Sequence, residues 1–354
     1  MKNITNLFKL FLKWRLLLLA VTLLFLPLNQ SIQSLSNFDG LKFLNLAQEG
    51  YGTPKTYYSY NLFPMYPTLI KVFSPLLGYF NSAIFLSHLF AFGSIYLLYT
   101  LVKLNSSESE SKFAIFLLLI FPSSFFLTTT YSESLFLFLS LATLLSLKKK
   151  QLLLSVIFAA LSSYTRAAGI VLWAVILIDY FDSHPNWAKT IFSKRSLLLL
   201  IPPIGFLTYL RYLEVYTSNF LNFLPSLPTK FVFIHQVFLR YLKMVIFVDH
   251  NSYLFVVILT ELLLSLLVVY LLIIRFKQTP LSYWINLLVI FFIPSLWGSF
   301  SGIGRFLLTC PPFFIILTSW LYKQNKTTKI IYYLISLLLL IFNLIIFSKG
   351  LFVG

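Results

Sequence analysis

Apolar stretches recur along the whole chain, most of them at or near the roughly 20 residues a helix needs to cross a hydrocarbon core, and clusters of lysine and arginine separate them. In lipid the backbone must satisfy its own hydrogen bonds, which leaves only helices and closed barrels. A barrel strand alternates polar and apolar residues, whereas runs such as 16–26 and 262–274 are apolar on every side. Helices are therefore expected. Hydrophobic residues make up 59% of 354 and charged ones 10%, against about 25% charged in a soluble domain, too few to solvate a globule of this size. No long polar block divides the chain, so residues 1–354 are expected to form one all-α polytopic membrane domain of about 10–11 transmembrane helices.

The net charge of +17 would suggest nucleic acid in a soluble protein. Here the basic residues sit at the ends of apolar runs, where they orient helices, and no nucleic-acid partner is expected. The single cysteine, Cys310, cannot form an intrachain disulfide. Lys13 and Arg15 before a Leu-rich run also describe a signal peptide, but no small-x-small site follows Pro27, which favours a retained helix.

The positive-inside rule converts the basic clusters into a topology. With Lys2, Lys9, Lys13 and Arg15 in the cytoplasm, residues 29–80 form a first external loop. Its apolar part, 61–80, is broken by Pro64, Pro67 and Pro75 and suits an interfacial helix better than a crossing. Crossings follow at about 81–102, 113–130, 134–147, 151–165, 168–181, 197–213, 252–274, 282–299, 306–322 and 330–348. The hairpin around Arg166 is short enough to be re-entrant. A second external loop and interfacial helix occupy 214–250. Seventeen of the 27 basic residues then lie inside: those four, Lys103, Lys112, Lys148 to Lys150, Lys189, Lys194, Arg195, Arg275, Lys277, Lys323, Lys326 and Lys329. No internal repeat is visible, which weighs against a transporter built from duplicated halves.

Charged groups within a bilayer are costly and suggest function by default. On this threading Asp39, Glu49, Glu133, Arg166 and Arg305 share the outer face. A carboxylate there can deprotonate an acceptor hydroxyl while cations hold a phosphate leaving group, the two needs of glycosyl transfer from a lipid phosphate. Each residue also has a plainer reading. Asp39 can cap the helix that starts near Leu41, and Glu49 can be a solvated helix-end carboxylate. Glu133 can be a helix N-terminal charge. Arg166 can snorkel to the interface, and Arg305, in Ser301-Gly302-Ile303-Gly304-Arg305, can anchor a helix start. Lys71, Lys230, Arg240 and Lys243 read as flanks of interfacial helices. Tyr57, Tyr58, Tyr60 and Tyr66 read as an aromatic belt. His88, His235 and His250 show no metal-ligand spacing, and Asp249-His250 reads as ordinary loop, so no metal is expected.

The stretch Phe38-Asp39-Gly40-Leu41-Lys42-Phe43-Leu44-Asn45-Leu46-Ala47-Gln48-Glu49-Gly50-Tyr51, followed by Phe63-Pro64-Met65-Tyr66-Pro67, resembles the first loop of the PIG-V type glycosylphosphatidylinositol mannosyltransferase II family. Later segments fit in order: Pro122 with Tyr131-Ser132-Glu133-Ser134-Leu135-Phe136, then Thr165-Arg166 with Gly169, then Arg305 with Pro311 or Pro312. The resemblance implies a GT-C-like bundle that moves a hexose, mannose by analogy, from a polyprenyl- or dolichyl-phosphate sugar to a lipid- or protein-linked acceptor on the non-cytoplasmic face. It implies Asp39 as catalytic base. Lys42, Tyr131, Glu133, Arg166 and Arg305 are read as substrate-binding residues, and no cofactor is expected besides the donor. Phe38 stands where that family usually has Trp, and Lys42 where it has His or an aromatic residue. The implied location is the cell membrane, or the endoplasmic reticulum in a eukaryote. A transporter or flippase of a lipid-linked saccharide, or a noncatalytic membrane subunit, are the alternatives.

Overall fold

The computed structural model describes residues 2–56, 59–184, 192–217, 232–296 and 298–353. Among them every regular element is helical. In chain order the helices are α1 (Lys2–Leu23), α2 (Leu28–Gln33), α3 (Asp39–Glu49), α4 (Met65–Leu77), α5 (Tyr79–Lys103), α6 (Glu108–Leu119), α7 (Glu133–Lys148) and α8 (Leu152–Ser163). They continue with α9 (Ile170–Asp182), α10 (Ile201–Thr217), α11 (Ile234–Phe247), α12 (Tyr253–Ile274), α13 (Leu281–Ser295), α14 (Ile303–Leu308), α15 (Pro311–Leu321) and α16 (Lys326–Ser348).

Local chemistry explains many of the boundaries. The chain leaves α1 ahead of Pro27, whose ring disfavours helix at the preceding residue. Gly50 and Gly78 take positive φ where α3 and α4 stop. Ser107 and Glu110 form a reciprocal capping box at the start of α6. Ser252 caps α12 and Asn325 caps α16. Pro311 and Pro312 occupy the first turn of α15, where no N–H is needed.

The 61–80 stretch, where an interfacial helix is expected, contains α4, which packs on α3 and α5 and leaves Val72 and Leu76 exposed. Among the described residues four helical stretches are long and apolar enough to cross a membrane: Tyr79–Lys103, Ser196–Val215, Tyr253–Ile274 and Lys326–Ser348. Several other expected crossings are shorter than drawn from sequence. Residues 306–322 are two helices, α14 and α15, because Pro311 cannot continue the hydrogen-bond ladder. The 113–130 segment leaves helix after Leu119, ahead of Pro122, and the 282–299 segment after Ser295. The hairpin around Arg166 consists of α8 and α9, 12 and 13 residues long, each about 20 Å against a core of about 30 Å. Most of the second external loop, 218–231, and Tyr57, Tyr58, Lys189 and Lys230 lie outside the described residues.

Among the described residues the interior is one large apolar cluster running from α1 to α16, with smaller ones under α3, α4 and α5 and around Phe63, Tyr209 and Leu213. Through the large cluster runs an irregular segment, 120–132, buried almost throughout and containing a short 3-10 turn, Ser124–Thr128. Buried non-helical backbone needs partners. Ser336 Oγ of α16 donates to Ile120 O (2.9 Å), Asn343 Nδ2 to Pro122 O (3.3 Å), and Trp14 Nε1 of α1 to Leu119 O (2.8 Å). This segment delivers Tyr131 and Glu133 to one end of the bundle. Large apolar side chains such as Leu16, Leu24, Phe247, Ile273 and Leu338 remain exposed on the outer faces, which suits a lipid surround.

Candidate active site

The first loop is stitched to the end of the buried segment. Thr130 N donates to Leu35 O (3.0 Å), and Tyr131 Oη donates to Asn37 O (2.8 Å). Asn37 Nδ2 donates to Phe347 O of α16 (2.7 Å). Gly40 lies so close that a Cβ there would stand 2.5 Å from Thr130 Oγ1. Between these anchors Phe38 adopts φ 52°, a left-handed value that strains a bulky residue. Its ring rests against Phe347 and Phe352. The turn swings Asp39 inward at the first position of α3. The N-cap position is taken by Phe38, so Asp39 is not the cap expected from sequence, and its carboxylate makes ion pairs.

Asp39 Oδ2 meets Arg305 Nη1 at 3.2 Å, and Oδ1 meets Lys42 Nζ at 3.2 Å. Glu133, 0% exposed, takes Arg305 Nε and Nη2 on Oε1, each at 2.8 Å, and Arg166 Nη1 on the same oxygen at 2.8 Å. Its other oxygen, Oε2, is buried and accepts no hydrogen bond from the described residues. Arg305 lies 5.0 Å from the Tyr131 ring centre and 5.1 Å from that of Phe126. Arg166 lies between Phe136 and Phe306. Two carboxylates thus face three cations, an excess of one positive charge that suits an anionic ligand.

Burial pushes the Asp39 carboxyl upward, but Arg305 and then Lys42 outweigh it and hold the group below its ordinary value. The carboxylate is 21% exposed. It opens with Lys42, Tyr131 and Arg305 onto a cavity of about 160 Å³ walled by Phe38, Phe347, Phe352 and Val353. A second, largely apolar cavity of about 200 Å³ lies alongside, between α1, α2 and α16, and shares Phe347 with the first.

All six residues singled out from sequence for this site, Asp39, Lys42, Tyr131, Glu133, Arg166 and Arg305, therefore belong to one network. Glu49 does not. It pairs with Lys55 (2.6 Å) and accepts from Thr53 Oγ1 (2.8 Å) at the surface. His88 accepts from Arg15 Nε (2.9 Å) on the facing helix, Asp249 accepts from Asn251 N in a turn, and His250 contacts Val245 O. Among the described residues no three His, Cys, Asp or Glu side chains converge as metal ligands.

Sequence reasoning missed the apolar wall from Phe347, Phe352 and Val353, which the return of the C-terminal helix and the residues after it create. It also missed Glu261, 7% exposed in the middle of α12. An acid within a 22-residue apolar helix was the available signal. Arg240, expected to flank an interfacial helix, lies within α11 and donates from Nη1 to Gly298 O.

The all-helical bundle with its polar cluster at one end is a GT-C-like fold. It is similar to the crystal structure of ArnT from Cupriavidus metallidurans bound to undecaprenyl phosphate, with a TM-score of 0.55 over 90% of this chain and 61% of that one. At 14% identity the likeness is one of fold, and this chain spans about three fifths of the length of that protein. Residues 20–185 match the family model of the mannosyltransferase PIG-V. The resemblance read from the first loop is thus borne out over that span, which holds Asp39, Glu133 and Arg166. Arg305, which completes the network, lies beyond it. No curated protein sequence matches the chain.

Proposed function

We propose that this protein is a membrane glycosyltransferase that moves a hexose, mannose by its family likeness, from a polyprenyl- or dolichyl-phosphate sugar to a lipid- or protein-linked acceptor on the non-cytoplasmic face. The observation that carries the reading is Asp39 at the mouth of a cavity, paired through Arg305 to Glu133 and through Glu133 to Arg166. The undecaprenyl phosphate bound by ArnT supports a carrier of that chemistry here.

In this reading the donor phosphate enters beside Arg305 and Lys42 and competes with Asp39 for both. Charge-assisted bonds from a guanidinium fork suit phosphate oxygens. The acceptor hydroxyl attacks the anomeric carbon from the face opposite the phosphate. Its proton passes to Asp39 as the new C–O bond forms, and the phosphate departs with the electrons of the broken bond. The configuration inverts. Arg305 and Arg166 offset the charge that grows on the leaving group, where a dry site makes such interactions strongest. Glu133 holds both arginines in place and stays off the reacting atoms. The apolar cavity beside the site suits part of an isoprenoid tail.

The test is a donor panel. Purified protein in nanodiscs receives labelled polyprenyl-phosphate mannose, polyprenyl-phosphate glucose or a nucleotide-linked mannose, with a membrane lipid extract as acceptor source. Transfer from the polyprenyl-phosphate mannose is expected, with little or none from the nucleotide sugar. Transfer from the nucleotide sugar alone would overturn the proposal.

A further inference from the structure

We propose that Glu261, with Tyr241, is a positioning residue that fixes the 298–302 turn and thereby sets the Arg305 guanidinium against Asp39 and Glu133. This rests on the reading of Arg305 as a ligand of the donor phosphate. Glu261 lies outside the arginine network, yet a carboxylate in the middle of an apolar helix persists only where its oxygens are matched.

Both oxygens are. Oε2 accepts from Tyr241 Oη of α11 at 2.7 Å, and Oε1 accepts from the backbone N–H of Gly302 at 3.0 Å. The same tyrosine oxygen accepts from Phe300 N at 3.1 Å and lies 3.1 Å from Ser299 Oγ. Two side chains from two helices therefore bind two amides of one five-residue turn. Arg240, one residue before Tyr241, holds Gly298 O at the near end of that turn.

The turn has a shape that needs holding. Gly298 (φ 74°) and Gly302 (φ 76°) are both left-handed, so the backbone alone has many alternatives. Gly302 precedes α14, and Arg305 N and Phe306 N both donate to Gly302 O. Arg305 thus stands one helical turn from the amide that Glu261 grips. On the far side Gly304 lies against Ser123, where a Cβ would come within 2.3 Å of Oγ. Helix α14 is clamped between the Glu261 carboxylate and the buried 120–132 segment, and the clamp sets the reach of its arginine. A shift of about 1 Å at a positioning group can lower a rate on the order of 100-fold.

Three variants in nanodiscs separate the possibilities. Glu261→Leu removes the acceptor, Glu261→Gln keeps an oxygen for the Gly302 amide, and Tyr241→Phe removes the hydroxyl alone. With polyprenyl-phosphate mannose, Glu261→Leu is expected to lower kcat/KM for the donor by about 10-fold to 100-fold. The loss should lie chiefly in donor KM, with acceptor KM unchanged. Glu261→Gln should restore most of the activity, and Tyr241→Phe should fall between. Equal activity of wild type and Glu261→Leu, or failure of Gln to rescue, overturns the proposal. Hydrogen exchange of the 298–308 segment reads the clamp with no substrate present. Exchange there should quicken in Glu261→Leu and return towards wild type in Glu261→Gln, while the 39–49 segment is unchanged. Unaltered protection in Glu261→Leu overturns the positioning role even if the wild type transfers no sugar, and an inactive wild type with the expected exchange pattern overturns the assigned reaction instead.

Discussion

Arg305 is the residue on which the polar cluster turns, because among the described residues it alone forms ion pairs with both carboxylates. Truncating it leaves Glu133 fully buried with Arg166 as its remaining cation, and breaking a buried pair from one side costs about 3 kcal/mol or more. Arg305→Ala should therefore lower the unfolding midpoint in mixed micelles as well as abolish transfer. Arg305→Lys, which keeps the charge and loses the fork, should retain much more of the stability than of the activity. A stable and active Arg305→Ala protein would contradict the network's role. Asp39 carries a pH signature. Its folded value lies below the unfolded one, so its ion pairs stabilise the fold above the ordinary carboxylate range, and that contribution fades as pH falls through the folded value. Lys42→Gln removes one of the two cations, so Asp39 should hold its proton to higher pH. The acid limb of the rate profile should move upward in pH, and an unmoved limb would contradict the pairing. Asp39, Glu133, Arg166 and Arg305 were legible in the sequence because charges stand out in apolar surroundings. The left-handed Phe38 was not, since nothing in its identity announces that backbone; nor was Tyr241, whose partner is 20 residues away on another helix.

Helix–helix approach sets the second scale. Gly205 brings α10 onto α8, and a Cβ there would lie 2.1 Å from the backbone oxygen of Ala160. At Gly40 the nearest obstacle is the side-chain oxygen of Thr130, at 2.5 Å. A backbone cannot rotate away as a hydroxyl can, so Gly205→Ala should be the more destabilising of the two, by about 1–3 kcal/mol. Gly40→Ala should affect transfer more, because it displaces the helix that carries Asp39. Unfolding midpoints and transfer rates of the two variants check the contrast, and the reverse order would contradict it. The apolar runs announced nearly every long helix, including α5, α12 and α16. Their ends were less legible. The sequence gives no sharp sign that 120–132 leaves helix yet stays buried, because its acceptors are satisfied by Ser336 and Asn343 more than 200 positions away. Cys310 and Pro311 break what hydropathy reads as one crossing.

At the scale of the molecule, the bundle gathers residues from four distant parts of the chain at one end: the first loop, the start of α7, the α8–α9 turn and α14. Two of them are held there by contacts from elsewhere, the first loop by α16 against Asn37 and Phe38, and α14 by α11 with α12 against the turn before Arg305. That arrangement gives a single carboxylate access to a cavity while burying the groups that orient its cations. The general-base role of Asp39 is the claim on which the rest depends. The most direct measurement is transfer from labelled polyprenyl-phosphate mannose by Asp39→Asn, alongside binding of undecaprenyl phosphate by the same protein. Binding should persist and kcat should fall by about 1,000-fold. An Asp39→Asn protein that transfers sugar at the wild-type rate would contradict it.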